Sequence, residues 1–247
     1  MLKKIKIKRH LKKNTSLGYF SQAVVTTLVL TTVFIFSGCS KKETTLTVGG
    51  QNILVPIPTG FHPVSKVASH FMEFMRAGAP PNFVVIEYYL NSADLRDVLA
   101  GHSKSRSQTL SLRTTRNMLF QNYSEEAFLE DASEIRAGAA IEAAAANGGK
   151  RQAGASEPGN SMSGVPKNGT PLGVFFERKD AIGTLMLQKF STPSGEVRRL
   201  DLSFTARIKN RYILLLCTSD IKSEADSNSI KRICSNWVGS ILESNPD

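Results

Sequence analysis

Among the groups in this 247-residue chain that could do chemistry, the three cysteines, Cys39, Cys217 and Cys234, come first. A thiol can be a nucleophile, an acylation point, a metal ligand or half of a disulfide, and spacing decides among these. There is no Cys-x-x-Cys pair, so redox exchange of that type is excluded. His62, His70 and His102 are the histidines beyond the N-terminal segment, and none stands three or four positions from another. That spacing is what brings two imidazoles to one metal on a helix, so no metal centre is expected. His62 follows Phe61 in a Pro- and Gly-rich stretch and reads as a surface histidine in a turn.

Other fragments fall short of their chemistry. Gly148-Gly149-Lys150 lacks the hydroxyl that follows the lysine of a phosphate loop, and it follows a helical pattern where a strand is needed. Gly159-Asn160-Ser161-Met162-Ser163 lacks the closing glycine of a nucleophile elbow. Ser219 and Lys222 have Ser-x-x-Lys spacing without its companion motifs. Glu125, Glu126, Glu130, Asp131 and Glu134 share one helical stretch and read as a solvated face. With no catalytic constellation, the expectation is a protein that is not an enzyme and needs no cofactor or metal.

The N-terminus is more specific. Residues 1–13 carry seven Lys or Arg, and residues 14–40 carry no charge. An apolar stretch from Ala23 to Phe36 ends in Ser37-Gly38-Cys39, followed by Ser40-Lys41-Lys42. A positive region, a short apolar region and small residues at the cut make up a secretory signal. The uncharged span also reaches the roughly 20 residues that an uncleaved transmembrane helix needs. A cut nearby by an ordinary signal peptidase would instead release a soluble protein.

Phe36-Ser37-Gly38-Cys39 resembles the lipobox of bacterial lipoproteins, in which an aliphatic residue usually stands where Phe36 does. The resemblance implies cleavage between Gly38 and Cys39, diacylglycerol on the Cys39 thiol and acylation of the new amino group. Two or three acyl chains anchor stably at about 0.8 kcal/mol per buried CH₂, where one is marginal. Ser40 is not the aspartate that retains many such proteins in the inner membrane, so the resemblance points to an outer-membrane anchor facing the periplasm. The exported compartment also bears on the remaining cysteines. An even pair in an oxidising space reads as a disulfide, Cys217 to Cys234, with two buried free thiols as the alternative.

The formal charge of +10 sits mostly in that leader, because the rest of the chain holds 24 basic against 21 acidic residues. No basic patch with interleaved aromatics is visible, so nucleic acid is not an expected partner. Lys104 and Arg106, with Lys150, Arg151 and Lys167, lie in two loops that could meet anionic lipid or an acidic partner.

The elements that must position these residues follow from periodicity. Residues 1–38 are the signal segment, 39–50 a polar tether ending in Gly49-Gly50, and 51–247 one domain. Gln51–Ile57 reads as a strand, Val64–Arg76 as a helix stopped by Pro80-Pro81, and Asn82–Leu90 as a strand. A helical turn at Ala93–Leu99 and a strand at Thr109–Phe120 follow. Ser124–Ala146 reads as a helix capped by Ser124, with a tail extending into solvent, and about 147–171 as a mobile loop. Leu172–Arg178, Gly183–Phe190, Arg198–Ile208 and Arg211–Ser219 then form an antiparallel meander. A closing helix, about Asp226–Leu242, presents Ile230, Ile233, Cys234, Trp237, Val238, Ile241 and Leu242 along one face.

This order fits an α+β domain, an antiparallel sheet covered by helices. Pro58-Thr59-Gly60-Phe61 near its start, with the strand Asn210–Thr218 running into the helix of Trp237, resembles the PsbP-like sandwich of photosystem subunits and bacterial envelope lipoproteins. The resemblance implies binding or assembly more than catalysis. The expectation is a membrane-anchored envelope protein with a protein partner, and the alternative is a carrier or receptor for a small ligand.

Overall fold

A computed structural model describes residues 42–102, 107–147, 169–192 and 195–246. Nine strands run β1 Glu43–Val48, β2 Gln51–Pro56, β3 Phe61–Pro63, β4 Phe83–Asn91, β5 Gln108–Thr115, β6 Gly169–Arg178, β7 Ala181–Thr192, β8 Gly195–Ile208 and β9 Arg211–Ile221. The helices are α1 Val64–Val67, α2 Ser69–Ala77, α3 Ser92–Leu99, α4 Glu125–Asn147 and α5 Glu224–Ser244. β1 and β2 form a hairpin, and the other seven strands form one sheet in the order β3-β4-β5-β9-β8-β7-β6. Every neighbouring pair in that sheet is antiparallel. The expected α+β class, with helices covering an antiparallel sheet, is the observed one.

The meander from β6 to β9 follows from its turns. Lys209 and Asn210 take φ of 48° and 55° and close β8 onto β9 in a two-residue loop. Such mirror-image turns match the twist of the strands they join. β9 is central, with Ile213, Leu214 and Leu215 all buried, as a strand covered on both faces requires.

Alternate residues separate the two faces. One presents Leu110 and Leu112 of β5, Leu215 and Cys217 of β9, and Leu200, Leu202 and Phe204 of β8, packed with Ile230, Cys234, Trp237, Val238 and Ile241 of α5 and with Val48, Ile53 and Val55 of the hairpin. Gly183 lets β7 pass Phe204, because a Cβ there would come within 2.7 Å of that ring. Ser223 and Asp226 form a capping box at the start of α5, two residues ahead of the expected start. Trp237 Nε1 donates to Pro56 O at 3.0 Å, and the Asn245 side chain bonds both N and O of Leu54, at 2.8 and 2.7 Å. These contacts clamp the hairpin over α5.

Several expectations need correction. Residues 43–48, expected within the tether, are strand β1, with Thr44 and Val48 buried. Gly49-Gly50, at φ of 53° and 82°, is its hairpin turn. The alternation of β1 before a Gly-Gly pair was the signal for it. The helix expected over Val64–Arg76 breaks at Ala68, whose φ and ψ of −148° and 62° are not helical. Strand β5 stops at Thr115, short of Phe120. Strand β6 begins at Gly169, inside the expected loop, because residues 169–171 pair with Gln188, Leu187 and Met186. His62 is not in a turn but in β3, paired with Leu90 of β4, with Nε2 2.9 Å from Ser92 Oγ.

Candidate functional site

The second face of the sheet is where the helices leave room. α1, α2 and α3 cover one end of it through Val64, Met72, Val85, Tyr88, Leu90 and Leu95. The N-terminal half of α4 covers the other end, where Phe128 and Ala132 meet Phe83, Ile182, Tyr212 and Leu214. Ser124 Oγ accepts from Ala127 N at 3.2 Å, which supports the expected cap of α4. Farther along, Gly138 and Ala140–Glu142 are exposed and Ala139 is buried. The tail expected to extend into solvent instead lines a cavity over the sheet through Gly138, Ala139 and Glu142.

Under α4 lies a cavity of about 370 Å³. Its floor is built from register: Leu216 of β9 lies opposite Ser203 of β8 and, on its other side, opposite Ser111 of β5, which is not itself part of the lining. One step along, Arg113 faces Leu214, and Leu214 faces Thr205. In the other direction Asp201 lies between Met186 and Thr218. Phe83, Ile135 and Met186 complete the apolar lining beside Leu214 and Leu216.

The charged groups of the floor are under stress. Arg113 is half-buried, and burial pulls its guanidinium below the usual range. Its Nε donates to Ser111 Oγ at 3.1 Å. Among the described residues no carboxylate pairs with it. Burial pushes the Asp201 carboxyl up to about 6, with Asp220 adding to the rise and Arg199 opposing it. Asp201 Oδ1 is enclosed and has no hydrogen-bond partner among the described residues. Tyr212, at the α4 end, is pushed up to about 12, again chiefly by burial.

A second, open depression lies between α2 and α3, over Thr109, Thr218 and Arg199. Its rim carries Val67, Phe74 and Leu99, which are 46 %, 70 % and 61 % exposed. Phe71 stacks on Phe74, with ring centroids 6.3 Å apart, and meets Tyr88 edge-on.

The residues singled out by type do not converge. His70 is exposed beside Glu73, and His102 Nδ1 lies 3.2 Å from Asp97. Ser219 Oγ donates to Asp220 O in β9, and Lys222 is exposed in the bend between β9 and α5. Among the α4 acids, Asp131 accepts from Tyr123 OH at 2.6 Å, Glu125 lies 3.5 Å from Lys179, and Glu126, Glu130 and Glu134 are exposed. No three His, Cys, Asp or Glu among the described residues are grouped to hold a metal. No described helix is long and apolar enough to cross a membrane.

Cys217 and Cys234 are fully buried where β9 meets α5, with Cα atoms 6.5 Å apart and the sulfurs paired. That separation lies within the roughly 4.4–6.8 Å a disulfide spans. Gly38 and Cys39 lie outside the described residues, as do Lys104, Arg106, Lys150, Arg151 and Lys167.

Sequence reasoning missed Arg113, Asp201 and Glu87. Arg113 and Asp201 each carried a faint signal, a charge on the strand face opposite its apolar neighbours. The fully buried Glu87 accepts from Ser65 N at 3.1 Å, from Ser65 Oγ and from Tyr88 N at 2.8 Å, pinning the start of α1 to β4.

No family model matches the chain, and no curated protein does. Among solved structures it is similar to the Ran-binding protein Mog1p of Saccharomyces cerevisiae. That likeness covers 83 % of this chain and 93 % of the yeast one, at 11 % identity and a TM-score of 0.34. A point variant of Mog1 gives 83 % and 92 % coverage, 12 % identity and 0.35. These values mark a distant likeness.

Proposed function

We propose that this chain is a lipid-anchored protein of the bacterial cell envelope that works by holding a protein partner rather than by turning over a substrate. The observation that carries the reading is the apolar rim of Val67, Phe74 and Leu99 around Phe71. Aromatic and large aliphatic side chains gathered at one open depression are the make-up of an interface centre. Burying each such side chain is worth about 1.5–3 kcal/mol, so water alone is a poor long-term neighbour for them.

The anchor is Cys39, on the strength of Ser37-Gly38-Cys39 after the apolar segment. It stands three positions before Lys42, whose O accepts from Ile57 N at 2.7 Å. Three extended residues span at most about 11 Å, so the lipid would hold the domain close against its bilayer. Ser40 favours the outer membrane. The dispersal of His62, His70, His102 and Ser219 supports binding over catalysis.

The test places a photo-crosslinking amino acid at position 74 of the full-length chain in bacterial cells, beside the same chain carrying Cys39→Ala. A reproducible protein adduct, lost or strongly reduced with Cys39→Ala, is the expected result. Adducts to lipid alone, or none above background, would overturn the protein-partner reading. Metabolic labelling with an alkynyl fatty acid tests the anchor separately. Label on the native chain and none on Cys39→Ala is expected, and an unlabelled native chain refutes lipidation.

A further inference from the structure

We infer that the cavity under α4 is a binding site for a small monoanionic carboxylate with an apolar body and a hydrogen-bond donor at its far end. The inference stands on the cavity alone and does not depend on the lipid anchor or on the partner surface between α2 and α3.

Arg113 sets the first requirement. Its planar guanidinium matches a carboxylate in two parallel hydrogen bonds. Its Nε rests on Ser111, and among the described residues no carboxylate neutralises it. A half-buried cation without a counter-ion costs free energy, and an arriving anion would relieve that cost. Asp201 sets the second requirement. Its enclosed Oδ1 has no donor among the described residues, so that end of the cavity calls for a hydroxyl or an amine.

The two groups do not satisfy one another, for a reason visible in the register. Ser111, which holds the guanidinium, is level with Ser203, so Asp201 lies two strands over and two residues along. With strands about 4.8 Å apart and about 3.4 Å per residue, Ser111 and Asp201 are roughly 12 Å apart. Leu216 of β9 lies in that gap, which makes the middle of the ligand apolar. The lining carries one base, Arg113, against Asp131, Glu134, Glu142 and Asp201. A polyanion such as a nucleotide would meet more repulsion than attraction there, so the ligand carries a single carboxylate, placed at Arg113. A volume of about 370 Å³ sits at the small end of ligand pockets, roughly 300–1,000 Å³.

The probe is 3-(4-hydroxyphenyl)propionate, which has the carboxylate, the apolar ring and the distal hydroxyl. Its binding to the full-length chain, in nanodiscs of phosphatidylethanolamine and phosphatidylglycerol, is read by saturation-transfer NMR with empty nanodiscs as the blank. Saturable binding is expected. Reducing the carboxylate to the alcohol should weaken it at least tenfold, and removing the phenolic hydroxyl several-fold. Arg113→Met should weaken the acid at least tenfold and leave the alcohol unchanged, with Arg113→Lys intermediate. No saturable binding above the blank, equal binding of acid and alcohol, or wild-type affinity in Arg113→Met would each overturn the inference. Should Arg113→Met fail to fold, the acid–alcohol comparison on the native chain decides alone.

Discussion

Replacing Asp201 with asparagine should stabilise the domain near neutral pH and have little effect below about pH 4. Burial lifts this carboxyl from an ordinary 3.8 to about 6 in the folded chain, against the opposing influence of Arg199 and with the help of Asp220. Because the folded state binds the proton more tightly than the unfolded state, its stability is greatest below pH 4. Stability then falls as pH rises from about 4 to 6 and levels off above. At about 1.36 kcal/mol per pH unit the shift amounts to about 3 kcal/mol, as an upper bound, since Asp201 keeps some solvent contact. Asparagine has nearly the same shape and no charge to desolvate, so a gain of about 1–3 kcal/mol at pH 7 is expected. The lone tryptophan, Trp237, lies buried between α5 and the hairpin, and its fluorescence reports the unfolding directly. Urea titrations of both proteins from pH 4 to 8 would show the curves meeting at the acid end, parting between about pH 4 and 6, and running parallel above. A variant no more stable than the native chain at pH 7, or one with the same gain at pH 4, would refute the burial argument.

Other outcomes follow from the packing. Replacing Cys217 and Cys234 together with serine or alanine should cost about 3 kcal/mol, from the loop that a bond between them closes. At about 2–4 °C per kcal/mol for a domain of this size, calorimetry should show a melting point roughly 6–12 °C lower, and an unchanged one would show that no bond forms. Asn245→Ala strips partners from both N and O of Leu54 in a buried place and should cost about 2–4 kcal/mol by urea unfolding. Phe74→Glu, at a position 70 % exposed, should leave the urea midpoint within about 0.5 kcal/mol of native while abolishing partner capture in a pull-down.

The parts legible in the chain were those whose signal is local. The apolar face of α5 repeats at helical spacing, the cap of α4 is one serine before two glutamates, and β6 to β9 are runs joined by short turns. Each can be read because its residues are neighbours in sequence and their periodicity has to match the element they form. The β1–β2 hairpin was equally local, with its Gly-Gly turn in plain view, and it was missed because polar threonines alternating with Leu46 and Val48 looked like tether.

Tertiary structure decided what no window of sequence contains. β5 pairs with β9 across about a hundred residues, Gln108 opposite Ser219, and that pairing makes β9 central. The same register brings Arg113 of β5 onto one floor with Asp201 and Ser203 of β8 and slides α4 above them. Cys217 meets Cys234 only because α5 turns back over β9. Pairing between distant strands is chosen by the total apolar surface it buries, a property of the whole chain, so the cavity and its unpaired charges come into being only when the sheet closes.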